Sequence, residues 1–148
     1  MRRKVKRAAN GWRGSTLYGY LMEGDEPTYK HNFRMTKDNV KFIARKLSDG
    51  GYLADGKCRH VDRCVTGLFK VGVCLYFMAH CKGDPKTAAD CASLGESTVR
   101  KYMDEFVAGV VAVLKPIFMP STPPTPEMLR RLAQESAKRR GIPGIVSA

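Results

Sequence analysis

The residues best placed to do chemistry lie between Pro85 and Glu105, in the segment PKTAADCASLGESTVRKYMDE. Its spacing predicts a helix-turn-helix, in which two helices flank a tight turn and the second helix presents polar side chains to DNA. Small and apolar residues occupy the offsets that such a motif buries, namely Ala88, Ala89, Ala92, Leu94, Val99 and Tyr102. The alternative interpretation is an ordinary helical hairpin whose polar side is only solvated.

The polar residues of this segment have the chemistry that DNA recognition requires. Lys82 and Lys86 are expected to bind phosphates, because cationic side chains neutralise the nucleic-acid backbone. The second helix is expected to place five side chains in the major groove, namely Glu96, Ser97, Thr98, Arg100 and Lys101. Of these, Arg100 is the strongest candidate for reading a guanine. Ser93 stands where the turn usually has glycine, so we expect a left-handed residue there at some energetic cost.

The charge of the chain favours a polyanionic partner. Its 148 residues include 26 Lys and Arg against 14 Asp and Glu, a formal net charge of +12, and double-stranded DNA is the expected partner. A basic cluster at the N-terminus is expected to contact phosphates and to suit nuclear import; its members are Arg2, Arg3, Lys4, Lys6 and Arg7. The longest apolar run, residues 71–79, is too short to span a bilayer, so no membrane partner is expected.

A metal site is the alternative that the cysteines and histidines raise. Five candidate ligands recur within a short span, namely Cys58, His60, Cys64, His80 and Cys81. Their spacing contains neither a C-x2-C nor an H-x3-H pair, which are the arms typical of zinc modules. We therefore expect no metal ligands, no cofactor, and cysteines that are reduced thiols.

Hydrophobic periodicity predicts an all-α fold, a small helical bundle with a helix-turn-helix and a flexible basic N-terminal arm. The arm is assigned to residues 1–32, which show no helical or alternating period. The helical domain spans 33–118, a proline-rich spacer spans 119–125, and residues 126–148 hold a further helix and the start of a strand.

Capping residues mark where the helices of this domain begin. Thr36 is expected to cap the first helix, Asp84 with Pro85 the helix before the turn, and Thr125 with Pro126 the last one. A core helix is predicted from about Val61 to His80. The recognition helix is predicted to continue well beyond the motif until Pro116 ends it.

Five strings in the same order resemble the N-terminal helical region of PIF/Harbinger-type transposases, which belong to the DDE superfamily. They are Phe33-Arg34-Met35-Thr36, Arg63 with the apolar helix after it, Gly95 to Val99, Pro126 to Leu132, and Gly141 to Val146. The resemblance covers about residues 33 to 148, and it implies that residues 126–148 hold a helix and the start of a truncated catalytic domain. It implies a DNA-binding protein derived from a transposable element, with a homo-oligomer or an accessory DNA-binding protein as further partners.

The resemblance does not imply catalysis by this chain. In the family, the string equivalent to Gly141–Ala148 leads into a segment that carries the first catalytic Asp, whereas no acidic residue follows Glu135 here. We therefore expect no catalytic residue and no enzyme activity in this chain. The parent family would be a metal-dependent nuclease. Divalent metal would be needed only if a catalytic domain follows in the full gene product. Asp84, Asp90, Asp104 and Glu105 are interpreted as a cap and solvated helix charges.

Three functions remain open from the sequence. The first is the DNA-binding module of a Harbinger-type transposase or of a protein derived from one. The second is a fragment of a complete transposase enzyme. The third is a helical adaptor that binds another protein, in which case salt would affect binding far less than it affects binding to DNA.

Overall fold

The computed structural model describes residues 11–56, 64–119 and 122–140, and the fold is all-α, as the sequence predicts. In chain order the helices are α1 (Thr16–Met22), α2 (Glu26–Phe33), α3 (Lys37–Asp49), α4 (Gly67–His80), α5 (Pro85–Ala92), α6 (Glu96–Gly109), α7 (Lys115–Phe118) and α8 (Pro126–Arg140). A 3-10 turn over Gly11–Gly14 precedes α1, and a π-helical turn over Val110–Leu114 joins α6 to α7. The chain divides into two compact units after Lys115.

Helix α4 is the centre of the first unit. It packs against α1, α2, α3, α5 and α6, and its five consecutive residues 71–75 are all buried. A helix that is buried on every side needs an apolar sequence all round, which GLFKVGVCLYFMAH provides apart from Lys70 and His80. A Cβ atom on Gly72 would lie 2.5 Å from a methyl carbon of Leu21, so this glycine allows α1 to approach closely.

Helix α4 begins later than predicted. The apolar period places its start near Val61, but Thr66 is the N-cap: its hydroxyl accepts a hydrogen bond from the backbone N–H of Phe69, at 3.4 Å. Residues 64–66 are not helical, and Val61 itself lies outside the described residues. An N-cap residue has extended backbone angles, so the helix begins at Gly67.

The prediction of a flexible arm over residues 1–32 is wrong for residues 11–32. Leu17, Leu21 and Tyr29 are fully or almost fully buried, and the Tyr29 hydroxyl donates a hydrogen bond to the carbonyl of Leu21. Ser15 and Asp25 cap α1 and α2. These helices have seven and eight residues, which is too short for a convincing hydrophobic period; packing on α4 stabilises them instead. Residues 1–10 lie outside the described residues.

Helix α3 and the loop after it follow the prediction in part. Thr36 caps α3 as expected, accepting from the N–H of Asn39 at 3.4 Å. The loop is held against α6, because Glu105 Oε1 accepts a 2.7 Å hydrogen bond from the N–H of Leu53. Leu53 is buried and has a left-handed φ of 48°. The interpretation of Glu105 as a solvated charge is therefore wrong.

Pro116 does not end the recognition helix, contrary to the prediction. After α6 the path continues through the π-helical turn and α7 to Phe118. Proline lacks an N–H and its ring crowds the carbonyl four residues earlier, so an ordinary α-turn does not pass through it unchanged. The π-helical turn lies directly before Pro116, and widened turns of this kind commonly accommodate such irregularities.

The second unit contains α8. Thr125 caps it, with its hydroxyl 3.3 Å from the N–H of Met128, and Pro126 takes the first helical position, as predicted. Arg131 and Glu135 form an exposed ion pair at 3.3 Å. Residues 141–148, where the start of a strand was predicted, lie outside the described residues. Across the described ranges, no helix is both long and apolar enough to cross a membrane.

Candidate nucleic-acid interface

Helices α5 and α6 lie where the sequence predicts the two helices of a helix-turn-helix, and a tight turn joins them. Asp84 caps α5 by accepting a 3.0 Å hydrogen bond from the N–H of Lys86, and Pro85 occupies the first position. The turn between the helices spans residues 93–95. Leu94 donates its N–H to the carbonyl of Ala89 at 2.9 Å, so the last turn of α5 closes on itself. The chain then enters α6 at Glu96.

Ser93 has the left-handed conformation that the sequence predicts, with φ 54° and ψ 38°. A non-glycine residue in this region costs about 1 kcal/mol or more. Its backbone N–H is directed at the carbonyls of Ala89 and Asp90, so the strained residue satisfies carbonyls that the helix end would otherwise leave free. The turn therefore forms without the usual glycine.

The interior of the motif matches the predicted set. Ala88, Ala92 and Val99 have no exposed surface, and Ala89 is 3% exposed. Leu94 and Tyr102 are partly buried and pack against the core. Because alanine carries only a methyl group, the helices approach closely where the three alanines lie, and Val99 fills the space between them. The residues that the sequence predicts to be buried in the motif are therefore buried or partly buried.

The side chains predicted to recognise DNA are mostly solvent-exposed. Lys82, Lys86, Glu96, Ser97, Arg100 and Lys101 are exposed, whereas Thr98 is partly buried. Lys82 lies just before α5 with a left-handed φ of 42°. The N-cap of α6 is Gly95, which has no side chain to cap the helix, although the Thr98 N–H donates to the Gly95 carbonyl at 3.0 Å. The start of the helix carries the positive end of the helix dipole.

Acidic residues balance the charge around the motif. Lys82, Lys86, Arg100 and Lys101 are matched by four acidic side chains, which are also exposed: Asp84, Asp90, Glu96 and Asp104. The exposed side chains from Lys82 to Asp104 therefore carry no net charge, and the partly buried Glu105 adds one negative charge. The positive charge of the chain must come from elsewhere, including the N-terminal cluster from Arg2 to Arg7, which lies outside the described residues.

Arg100 borders a shallow groove of about 300 Å³ beside the motif. The floor is apolar, formed by Phe77 of α4, Pro85, Val99 and Met103. Asp104 is the other charged residue that lines it. The groove gives the stem of Arg100 an apolar surface to lie against, while the guanidinium can reach solvent.

The candidate metal ligands are only partly within the described residues. Cys58 and His60 lie outside them, Cys64 is partly buried, and Cys81 is buried at the end of α4. The His80 ring lies 4.7 Å from the ring of Tyr76 and 5.8 Å from that of His31. Within the described ranges, no three His, Cys, Asp or Glu side chains are grouped so as to hold a metal ion.

Three of the described cysteines are suited to packing rather than to reactivity. Burial raises the pKa of the thiols of Cys74, Cys81 and Cys91, and it raises the pKa of Tyr76, the neighbour of Cys91, to about 12. A thiol with a raised pKa stays protonated at neutral pH and is a poor nucleophile and a poor metal ligand.

The four acidic residues that the sequence analysis considered have different positions. Asp84 caps α5, Glu105 binds the Leu53 N–H, and Asp90 and Asp104 are exposed. Sequence reasoning missed the role of Glu105, because a hydrogen bond between residues 52 positions apart leaves no local signal. It also missed that the exposed side of α6 becomes apolar beyond Asp104, although the uncharged run from Phe106 to Leu114 is visible in the sequence.

Comparisons with known proteins do not assign this chain to a family. No family model, no curated protein and no solved structure matches this chain. The function must therefore be argued from the site itself.

Proposed function

We propose that this protein is a sequence-preferring DNA-binding module that uses α5 and α6 as a helix-turn-helix. The observation that carries the proposal is the division of residues in this motif: the alanines and Val99 are buried, while Ser97, Arg100 and Lys101 are exposed on the first turns of α6. The first turns of the second helix are the part that contacts base edges in helix-turn-helix proteins.

Each polar residue has a role in this proposal. Lys82 and Lys86 bind phosphates on either side of Asp84, and the uncapped start of α6 supports a phosphate contact. Arg100 reads guanine O6 and N7, with Glu96, Ser97 and Lys101 beside it. Thr98 has a smaller part, because its side chain is partly buried.

Most of the affinity is assigned to charge outside the motif. Because acidic and basic side chains balance within it, the net charge of +12 has to act through other segments, in particular the N-terminal cluster. Binding through phosphates is accompanied by release of counterions and weakens steeply as salt rises. On this proposal, α6 provides the sequence specificity and the N-terminal basic cluster provides most of the affinity.

The wider biological role in this proposal is that of a Harbinger-type transposase DNA-binding region acting in the nucleus. Its support is the ordered set of strings from Phe33 to Val146, together with the helix-turn-helix. On this proposal the chain binds DNA without catalysing a reaction and without a cofactor.

Selection of binding sites from a random DNA pool, using the full chain, tests the proposal. An enriched motif is the expected result. Arg100→Ala is expected to weaken binding to that motif by about 1–3 kcal/mol and to relax preference at one base pair. Arg45→Ala is the matched control, because Arg45 is an exposed arginine on α3 and its loss removes the same charge. If Arg100→Ala is folded and binds every sequence as the parent does, α6 does not read DNA.

A protein adaptor is the second candidate function. The observation that favours it is the balance of charge on the exposed face of the motif, beside a groove with an apolar floor. Such a surface suits a protein partner better than a uniformly basic surface would. The salt dependence of binding distinguishes the two candidate functions. Affinity through six or more phosphates falls by orders of magnitude between about 50 and 200 mM salt, whereas affinity through a mixed protein interface changes little.

A further inference from the structure

The exposed side of the helical path is apolar from the last residues of α6 through the π-helical turn after it. Val107 is 54% exposed and Val111 is 55% exposed, and Ala108 and Ala112 beside them are exposed as well. These four residues are called the apolar stripe below. The opposite side of the same turns is buried, with Phe106 at 5% and Leu114 at 7% exposure. The stripe is therefore a solvent-facing surface and not a poorly packed part of the core.

Residues of opposite charge bracket the apolar stripe. Asp104 precedes it and Lys115 follows it, and both are exposed. No charged residue lies between Glu105 and Lys115. Asp104 and Val107 are three residues apart on α6 and share a helix face. The exposed Val111 and Lys115 continue this line through the π-helical turn to the start of α7. The line has an acid at one end, a base at the other and apolar side chains between.

We propose that the apolar stripe is the contact between two copies of this chain, which pair through antiparallel α6 helices. Such pairing places Val107 of each copy near Val111 of the other and Asp104 of each near Lys115 of the other. A parallel pair would instead oppose Asp104 to Asp104 and Lys115 to Lys115, which is repulsive. The surface is self-complementary in the antiparallel arrangement alone, as a two-fold interface requires.

A second copy suits this surface for two reasons. Copies that each carry a net charge of +12 repel one another, and an uncharged stripe flanked by opposite charges is where that repulsion is smallest. Ala108 and Ala112 flank the valines with methyl groups only, which lets two helices approach closely. The contact is small compared with stable interfaces, which bury about 1,200 Å² or more. We therefore expect a weak dimer, with a dissociation constant in the range of tens of micromolar or above.

The pairing also sets a distance, and this step rests on the proposed DNA-binding function. The base-reading turns around Ser97 and Arg100 lie about eleven residues from the centre of the stripe, or about 16 Å at 1.5 Å per residue. Antiparallel copies then hold their reading turns about 30 Å apart. That spacing is close to one turn of B-DNA, about 34 Å, which separates half-sites of helix-turn-helix dimers.

Sedimentation equilibrium of the full chain without DNA tests the dimer apart from the DNA-binding function. The parent is expected to show a concentration-dependent monomer–dimer equilibrium. Val111→Glu is expected to raise the dissociation constant at least about tenfold, because it places two carboxylates in the contact. Met78→Glu is the matched control, since Met78 is an apolar residue on α4 that is 53% exposed and lies away from the stripe; it is expected to leave the equilibrium unchanged.

A charge exchange tests the antiparallel arrangement. Asp104→Lys and Lys115→Asp are each expected to weaken association, and the double variant is expected to restore it, because each lysine then meets an aspartate of the other copy. If circular dichroism shows that Val111→Glu does not fold, this charge exchange still tests whether the copies associate through the apolar stripe. A parent that stays monomeric at every concentration overturns the proposal, as does an equal loss in Met78→Glu. Additive losses in the double variant overturn the antiparallel pairing.

Discussion

Glu105 offers the sharpest test of how α6 is joined to the rest of the fold. Its carboxylate accepts the N–H of Leu53 at 2.7 Å, in a loop that packs between α3 and α6. Leu53 is 1% exposed, so water replaces the lost acceptor poorly when the carboxylate is removed. Hydrogen bonds to charged groups contribute about 1.5–3 kcal/mol. We therefore expect Glu105→Ala to lower the free energy of unfolding by about 2 kcal/mol.

The strain at Leu53 limits this magnitude. Its left-handed φ of 48° stores about 1 kcal/mol or more, and a loop released from Glu105 recovers part of that energy. Glu105→Gln keeps an acceptor oxygen and is expected to cost about half as much. Asp104→Ala is the control, because Asp104 is the exposed neighbour on the same helix, and exposed substitutions usually change stability by less than about 0.5 kcal/mol.

Thermal unfolding followed by circular dichroism at low micromolar protein is the assay. About 2 kcal/mol corresponds to a fall of about 4–8 °C in Tm for a chain of this size. Hydrogen exchange at the Leu53 amide gives a local readout, which is expected to accelerate in Glu105→Ala and to stay slow in the control. If Glu105→Ala unfolds at the same temperature as Asp104→Ala, the hydrogen bond does not hold the loop and the reasoning fails.

Three further predictions concern the motif and its surroundings. Val99→Asp is expected to abolish DNA binding by unfolding the motif, because it buries an unpaired carboxylate; circular dichroism should show a loss of helix, and retained helicity would contradict this account. Deleting residues 1–10 is expected to lower affinity for every DNA sequence alike and to flatten the salt dependence, measured by titration at several salt concentrations; a change in base preference would argue against it. Gly109→Ala is expected to destabilise the fold, although alanine usually gains about 1 kcal/mol over glycine in a helix, because the new methyl would lie 2.8 Å from Tyr52 Cβ and 2.9 Å from Leu47 Cδ2; denaturant titration measures the sign, and a gain in stability would show that α3 moves aside easily.

The sequence alone determined the parts of the fold that depend on neighbouring residues. Helix starts at Thr36, Pro85 and Pro126 were predictable, because a capping side chain bonds to an N–H two or three residues along the chain. The helix-turn-helix was predictable for the same kind of reason. Its alanines and Val99 lie at fixed offsets, and close packing of two joined helices admits few other residue sizes.

The tertiary structure decided what depends on distant contacts. Helices α1 and α2 are too short to be stable or recognisable alone, and they form because Leu17, Leu21 and Tyr29 pack into the core. The sequence suggests that Glu105 is a solvated charge, because only the fold brings the Leu53 N–H to its carboxylate. The helical path continues past Pro116, with a π-helical turn before it, and the proline itself signals neither feature. The apolar stripe is likewise visible as uncharged sequence. Only the packing of α6 on α4 and of the π-helical turn on α3 decides that Phe106 and Leu114 face inward while Val107 and Val111 face solvent.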